Sequence, residues 1–109
     1  MLSTHVLDTA LGRPGAGIAI TLWGIQENVR THLADAVTNS DGRTDAPIAA
    51  SLVAGLYVLE FHVAAYFERG GSAAFYDVIA IRFHIAEAGG KYHVPLILSP
   101  WGYSTYRGS

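Results

Sequence analysis

Apolar and polar residues alternate with a period of two along several short runs of this chain, and turn signals separate the runs. Tyr57, Leu59, Phe61 and Val63 alternate with Val58, Glu60 and His62, and Ile79, Ile81, Phe83 and Ile85 alternate with Val78, Ala80, Arg82 and His84. A period of two sends successive side chains to opposite faces, which is the geometry of a half-buried β-strand and not of a helix. Strands are expected at Thr4 to Thr9, Ile18 to Gln26, within Asn28 to Thr38, and at Gly55 to Val63, Asp77 to Ile85, Tyr92 to Leu98 and Tyr103 to Arg107. Gly12 to Gly17 reads as a loop, and Asn39-Ser-Asp-Gly42 as a hairpin turn, because Asp-Gly readily adopts positive φ. Ala64 to Arg69, followed by Gly70-Gly71, reads as one short helix with a glycine stop. Short strands with turns about every ten residues indicate an all-β fold of seven to eight strands, a sandwich or a barrel. The 109 residues fit a single domain, 1–109.

Composition narrows the function classes. There is no cysteine, so disulfides and thiolate metal sites are excluded. Net charge is −2 and the charges are scattered, which leaves no basic stripe for nucleic acid. Charged residues make up 15% and hydrophobic residues 50%, against about 25% charged in an ordinary soluble domain. Another subunit or lipid must then cover part of the surface. Ile48 to Phe67 is apolar over a length that could span a bilayer, but Glu60, His62 and the period-two pattern make it a strand, and no membrane partner is expected. No basic region precedes an apolar run at the start, so the expected location is cytoplasmic, with a mature periplasmic form as the alternative. Val94-Pro-Leu-Ile-Leu98 is apolar on both faces. One face fills a core, and the other asks for a second covering surface, most simply another subunit. Pro95 cannot donate to a ladder, so an edge or a bulge is expected there.

The last four residues, Tyr106-Arg107-Gly108-Ser109, follow an apolar and aromatic segment with no polar spacer, so the tail is expected to be packed. His93 shares the second apolar face with Lys91, Pro95, Ile97 and Ser99. A neutral histidine accepts a proton from water, and Arg43, just after the Asn-Ser-Asp-Gly turn, can hold a planar oxyanion in a bidentate fork. His5 stands in the first strand near Thr4 and Asp8. Each also has a plain structural reading. A strand histidine, including His32, His62 and His84, is usually a satisfied side chain, and Arg43 with Asp45 could be a surface pair of little energy. No His-x-His or His-x-x-x-His pair exists, so no metal is expected. Asp35, Asn39, Asp41 and Gly42 lack calcium-loop spacing and its closing Glu, and Gly12, Gly15 and Gly17 do not form the dinucleotide fingerprint.

Three segments carry a family resemblance. His93-Val-Pro-Leu-Ile-Leu-Ser-Pro-Trp-Gly-Tyr-Ser-Thr-Tyr-Arg-Gly-Ser109 closely resembles the C-terminal signature of the 5-hydroxyisourate hydrolases, the transthyretin-related enzymes of urate breakdown. Leu2-Ser-Thr-His-Val-Leu-Asp8 and Thr38-Asn-Ser-Asp-Gly-Arg43 resemble the family's N-terminal and internal motifs. The hormone-carrier branch, transthyretin itself, lacks Tyr-Arg-Gly-Ser. One departure is Lys91, where family members usually carry His. The resemblance implies a transthyretin-like β-sandwich, a homotetramer with sites where two dimers meet, and no cofactor. It implies a site lined by His5, Arg43, His93 and Tyr106, Arg107, Gly108 and Ser109. The implied reaction is the hydrolysis of 5-hydroxyisourate to 2-oxo-4-hydroxy-4-carboxy-5-ureidoimidazoline. His93 or His5 is expected as general base, Arg43 as oxyanion and substrate contact, and Ser109 as an orienting group. The rival reading is a carrier of a small aromatic hormone or metabolite.

Overall fold

The computed structural model describes residues 1–109. Its elements in chain order are β1 (Leu2–Ser3), β2 (Val6–Asp8), β3 (Arg13–Pro14), β4 (Ala19–Gln26), β5 (Val29–Val37), β6 (Gly55–His62), α1 (Val63–Arg69), β7 (Val78–Ile85), β8 (Tyr92–His93), β9 (Leu96–Leu98) and β10 (Tyr103–Thr105). The long strands make one sheet in the order β5-β4-β6-β7, antiparallel throughout. Glu27 and Asn28 both have positive φ, 51° and 63°, and form the tight turn between β4 and β5. The second sheet runs β10-β9-β2-β3, with the parallel pair β1 and β8 beside it. Ile20, Leu22, Leu59, Phe61 and Ile79 from the first sheet pack against Leu2, Val6, Leu96 and Leu98 from the second, and these side chains are almost wholly buried. The expected alternation in Gly55 to Val63 and Asp77 to Ile85 is therefore the division between core and outer face.

α1 connects β6 to β7 and buries Val63 and Phe67, one turn apart. After Gly70, Gly71 takes the left-handed conformation, φ 76°, that ends the helix. Tyr66, on the same helix, reaches the second sheet, where its hydroxyl donates to Asp8 Oδ2 at 2.6 Å. The amides of Ala10 and Leu11 donate to Oδ1 of the same carboxylate. Burial, and then this bond, push the Tyr66 hydroxyl up to about 12.

Four expectations need correction. The first strand is broken at Thr4-His5 and the Tyr92 to Leu98 strand at Val94-Pro95, so each is two short pieces. Pro95 is neither at an edge nor in a bulge: it is buried inside the sheet, where the tail strand loses one ladder bond because proline has no N–H. Asn39 to Gly42 is a turn with Gly42 at φ 74°, but it joins no hairpin, since β5 ends at Val37 and the next strand starts at Gly55. The turn packs on the first strand instead, where the Val6 amide donates to the Gly42 carbonyl at 2.8 Å. Arg13–Pro14, expected within a loop, pairs antiparallel with Leu7 and Asp8.

Candidate active site

Register decides which side chains meet. Leu2 pairs with Tyr92, Ser3 with His93, Val6 with Leu96, Leu7 with Ile97 and Asp8 with Leu98, a constant offset across both breaks. The amides of Tyr92, Val94 and Leu96 donate to the carbonyls of Met1, Ser3 and His5, so the parallel ladder continues through Pro95. On the other side, Tyr103, Ser104 and Thr105 pair with Leu98, Ile97 and Leu96, and the Gly108–His93 bridge keeps the same antiparallel register. The tail is thus a packed strand. The Gly108 amide donates to the His93 carbonyl at 2.8 Å, and the Thr105 hydroxyl to the Pro95 carbonyl at 2.7 Å.

The outer face of this sheet carries the polar residues in a row. Ser3, His93 and Gly108 lie side by side across three strands. Ser3 Oγ is 2.8 Å from His93 Nδ1. A Cβ built on Gly108 would sit 2.5 Å from His93 Cδ2 and 3.2 Å from Pro95 Cγ, so the tail backbone lies directly on the imidazole and only glycine fits. His5 follows on the first strand, and its Cδ2 lies against Gly42. A Cβ on Gly42 would collide with the Val6 carbonyl oxygen, which lets the turn approach closely enough to bring Arg43 beside the row. Asn39 holds this turn. Its Oδ1 accepts the amides of Asp41 and Arg43, and its Nδ2 donates to Asp45 at 3.0 Å. Asp45 therefore answers Asn39, and the surface pair with Arg43 does not form. A cleft of about 380 Å³ opens here, lined by Met1, Ser3, Arg43, Lys91, Tyr92, His93 and Ser109.

His93 is the electrostatically distinctive group. Burial holds its pKa below the usual histidine value, and the nearby Arg43 and His5 push the same way, against an opposing contact with the Ser3 backbone. The ring is neutral at neutral pH and can accept a proton. The tail residues divide by face. Tyr106 and Gly108 lie on the face of His93, whereas Arg107 lies on the opposite face and stays exposed, its guanidinium 4.6 Å from the centroid of the Tyr92 ring and 3.3 Å from the Lys91 carbonyl. His32 lies far round on the first sheet, where its Nε2 is 3.0 Å from Asp35, and His62 contacts Thr21.

A second cleft, about 280 Å³, lies between α1 and the β2–β3 turn and contains Asp8, Arg13, Tyr66 and Arg69. Both Asp8 oxygens are already hydrogen-bonded, and Arg69 donates to the Gly17 carbonyl, so no free base points into it. Sequence reasoning passed over Ser3 and Asn39 as functional supports. Both stood inside the quoted motifs, but their contacts depend on register and turn geometry.

The sequence model of the HIUase/Transthyretin family matches residues 2–108. The 5-hydroxyisourate hydrolase of Deinococcus radiodurans is 53% identical over 99% of this chain and 95% of its own length. The solved 5-hydroxyisourate hydrolase of Klebsiella pneumoniae superposes with a TM-score of 0.85 at 40% identity, covering 99% of this chain and 98% of that one. Sea bream transthyretin, solved in complex with thyroxine, superposes with a TM-score of 0.91 at 29% identity, covering 98% and 93%. The sandwich is thus transthyretin-like, as the motifs implied, and its relatives include both 5-hydroxyisourate hydrolases and transthyretin. On the full-length match of sequence and the agreement of fold, the chain belongs to the HIUase/Transthyretin family.

Proposed function

We propose that this protein hydrolyses 5-hydroxyisourate, giving 2-oxo-4-hydroxy-4-carboxy-5-ureidoimidazoline. The observation that carries the reading is the row Ser3, His93 and Gly108, with His5 and Arg43 beside it, on a sheet whose tail strand packs onto the imidazole. Water adds to a ring carbonyl while the bare ring nitrogen of neutral His93 takes its proton. Arg43 holds the oxyanion as it develops. The ring C–N bond then breaks, His93 returns the proton to the leaving nitrogen, and a carboxylate remains. His5 and the end of the tail, Tyr106, Gly108 and Ser109, orient water and substrate, and Arg107 locks the tail against Tyr92. Lys91 adds positive charge at the cleft for an electron-rich heterocycle. A carrier of apolar aromatic ligands would favour hydroxyl and aliphatic groups where this face has His5, Arg43 and His93.

The site works within a homotetramer, at the face where two dimers meet. Leu7, Trp101 and Tyr106 are exposed large apolar residues, and Leu7 and Tyr106 flank the histidines on the outer face. Exposed apolar residues grouped on one sheet face fit cover by a second subunit. Two measurements test the reading. Freshly made 5-hydroxyisourate, from urate and urate oxidase, should lose its ultraviolet absorbance much faster with the protein than without it, and equal decay refutes the activity. Light scattering should give four subunits, and a monomer at micromolar concentration refutes the assembly.

A further inference from the structure

His93 touches its surroundings at two points besides the cleft. Nδ1 faces Ser3, with Oγ at 2.8 Å, and Cδ2 lies under the Gly108 backbone. The Ser3 backbone also lies beside the ring and favours its protonated form, as a hydrogen-bond acceptor does. A carbonyl oxygen accepts and never donates. A neutral ring with its proton on Nδ1 gives that proton to the Ser3 hydroxyl oxygen at 2.8 Å and keeps its lone pair on Nε2. The Ser3 carbonyl already accepts the Val94 amide at 2.9 Å in the ladder, so the hydroxyl is the freer partner for the Nδ1–H. A ring flip would exchange Nδ1 for Cδ2 and break both contacts. The charged and polar groups around the ring are His5, Arg43, Lys91 and Ser109, and none of them is hydrogen-bonded to Nδ1, whose one partner is Ser3 Oγ.

We propose that Ser3 is a positioning residue for the hydrolysis: its hydroxyl accepts the Nδ1 proton of His93 and so leaves Nε2 as the basic nitrogen facing the cleft. The tautomer and the ring plane are then set by strand register, because Ser3 and His93 are direct partners in the parallel pair β1–β8. The proposal rests on the hydrolase reading, through His93 as the base. Ser3 makes no other side-chain bond, and its ladder bonds use the backbone, so replacing the hydroxyl leaves the sheet intact.

The test uses the full chain with ¹⁵N-labelled histidine and three proteins: wild type, Ser3→Ala and Ser3→Thr. In wild type, the His93 resonances assigned by comparison with His93→Gln should show the proton on Nδ1. Ser3→Ala should lower kcat about ten- to a hundredfold, the worth of one hydrogen bond to a charge-bearing group, with KM within about twofold. It should also move the ring toward a mixture of tautomers. Ser3→Thr, which keeps a hydroxyl at the same Cβ, should restore both readouts. A Ser3→Ala protein with unchanged kcat, or with His93 still wholly in the Nδ1–H form, overturns the positioning role alone. A wild-type protein with the Nδ1–H form but no turnover overturns the hydrolase reading, and the positioning role falls with it.

Discussion

Gly108→Ala is a one-methyl test of whether the tail belongs to the reacting centre. The added Cβ would lie 2.5 Å from His93 Cδ2 and 3.2 Å from Pro95 Cγ. Carbon atoms pack at about 3.5–4.0 Å, so something must move by about 1 Å. The Pro95 ring is rigid and buried, and the imidazole is held at Nδ1 by Ser3, so the tail strand lifts. Lifting it loses the Gly108–His93 backbone bond, a net cost of about 1 kcal/mol, which is about 4–8 °C in Tm for a domain of this size. Turnover should fall far more, because a displacement of about 1 Å at a reacting group can cost about a hundredfold. Gly102→Ala is the matched control. It sits in the turn before the tail, where its Cβ would meet only Ser99 Oγ, at 3.9 Å. Neither glycine has a left-handed φ, so the pair differs in space and not in backbone strain. We expect Gly102→Ala to hydrolyse 5-hydroxyisourate within about twofold of wild type, since it makes no close contact. Turnover and melting curves on the same preparations separate catalysis from stability. If Gly108→Ala is as active as Gly102→Ala, the tail does not shape the site.

Two further outcomes follow from the electrostatics and the core. Because burial and then Arg43 and His5 hold the His93 pKa down, kcat/KM should rise with pH through an apparent pKa below about 6.5 and be flat above it; an acid limb centred above that value contradicts a neutral His93 base. The same shift makes the unfolded chain bind more protons than the folded one between the two pKa values, so His93 should also cost stability as pH falls below about 6.5. Tyr66→Phe strips Asp8 Oδ2 of its 2.6 Å partner in a buried place and should destabilise the fold by about 1–3 kcal/mol in chemical denaturation, with turnover per folded molecule kept; unchanged stability would falsify the view that this bond ties α1 to the second sheet.

The long strands were legible because burial on one face imposes a strict period on their residues. Gly55 to Val63 and Asp77 to Ile85 are strands almost to the residue. The breaks at Thr4-His5 and Val94-Pro95 were not legible, since they come from pairing between segments far apart in sequence. The break between Gln26 and Asn28 was legible, but its tight two-residue form was not, because no glycine marks it: two ordinary L-residues take positive φ there. The Asp-Gly turn was found, but its use was misread, since turn chemistry fixes a local bend and not what the bend packs against. The polar residues came from motifs, and the row they form came only from the two registers that set Ser3, His93 and Gly108 side by side. Arg107 shows the same limit. Adjacent to Gly108 in sequence, it points to the opposite face of the sheet and lies over Tyr92.

The constant offset that pairs Ser3 with His93 also orders events during synthesis. At about 5–20 residues per second, His93 leaves the peptidyl-transfer step several seconds after Ser3. Until then the first strand has no hydrogen-bonding partner on that side, and Leu2 and Val6 lack Leu96 and Leu98 as neighbours in their own layer of the core. The antiparallel sheet β5-β4-β6-β7 is complete by residue 85 and can form first. The nascent chain therefore passes through a period with an open parallel edge, the kind of edge that recruits other strands. Contacts so distant in sequence also slow folding. The row Ser3, His93 and Gly108 is therefore completed last, when the tail closes over the imidazole, and unfinished chains on the ribosome carry the histidines and the arginine without it.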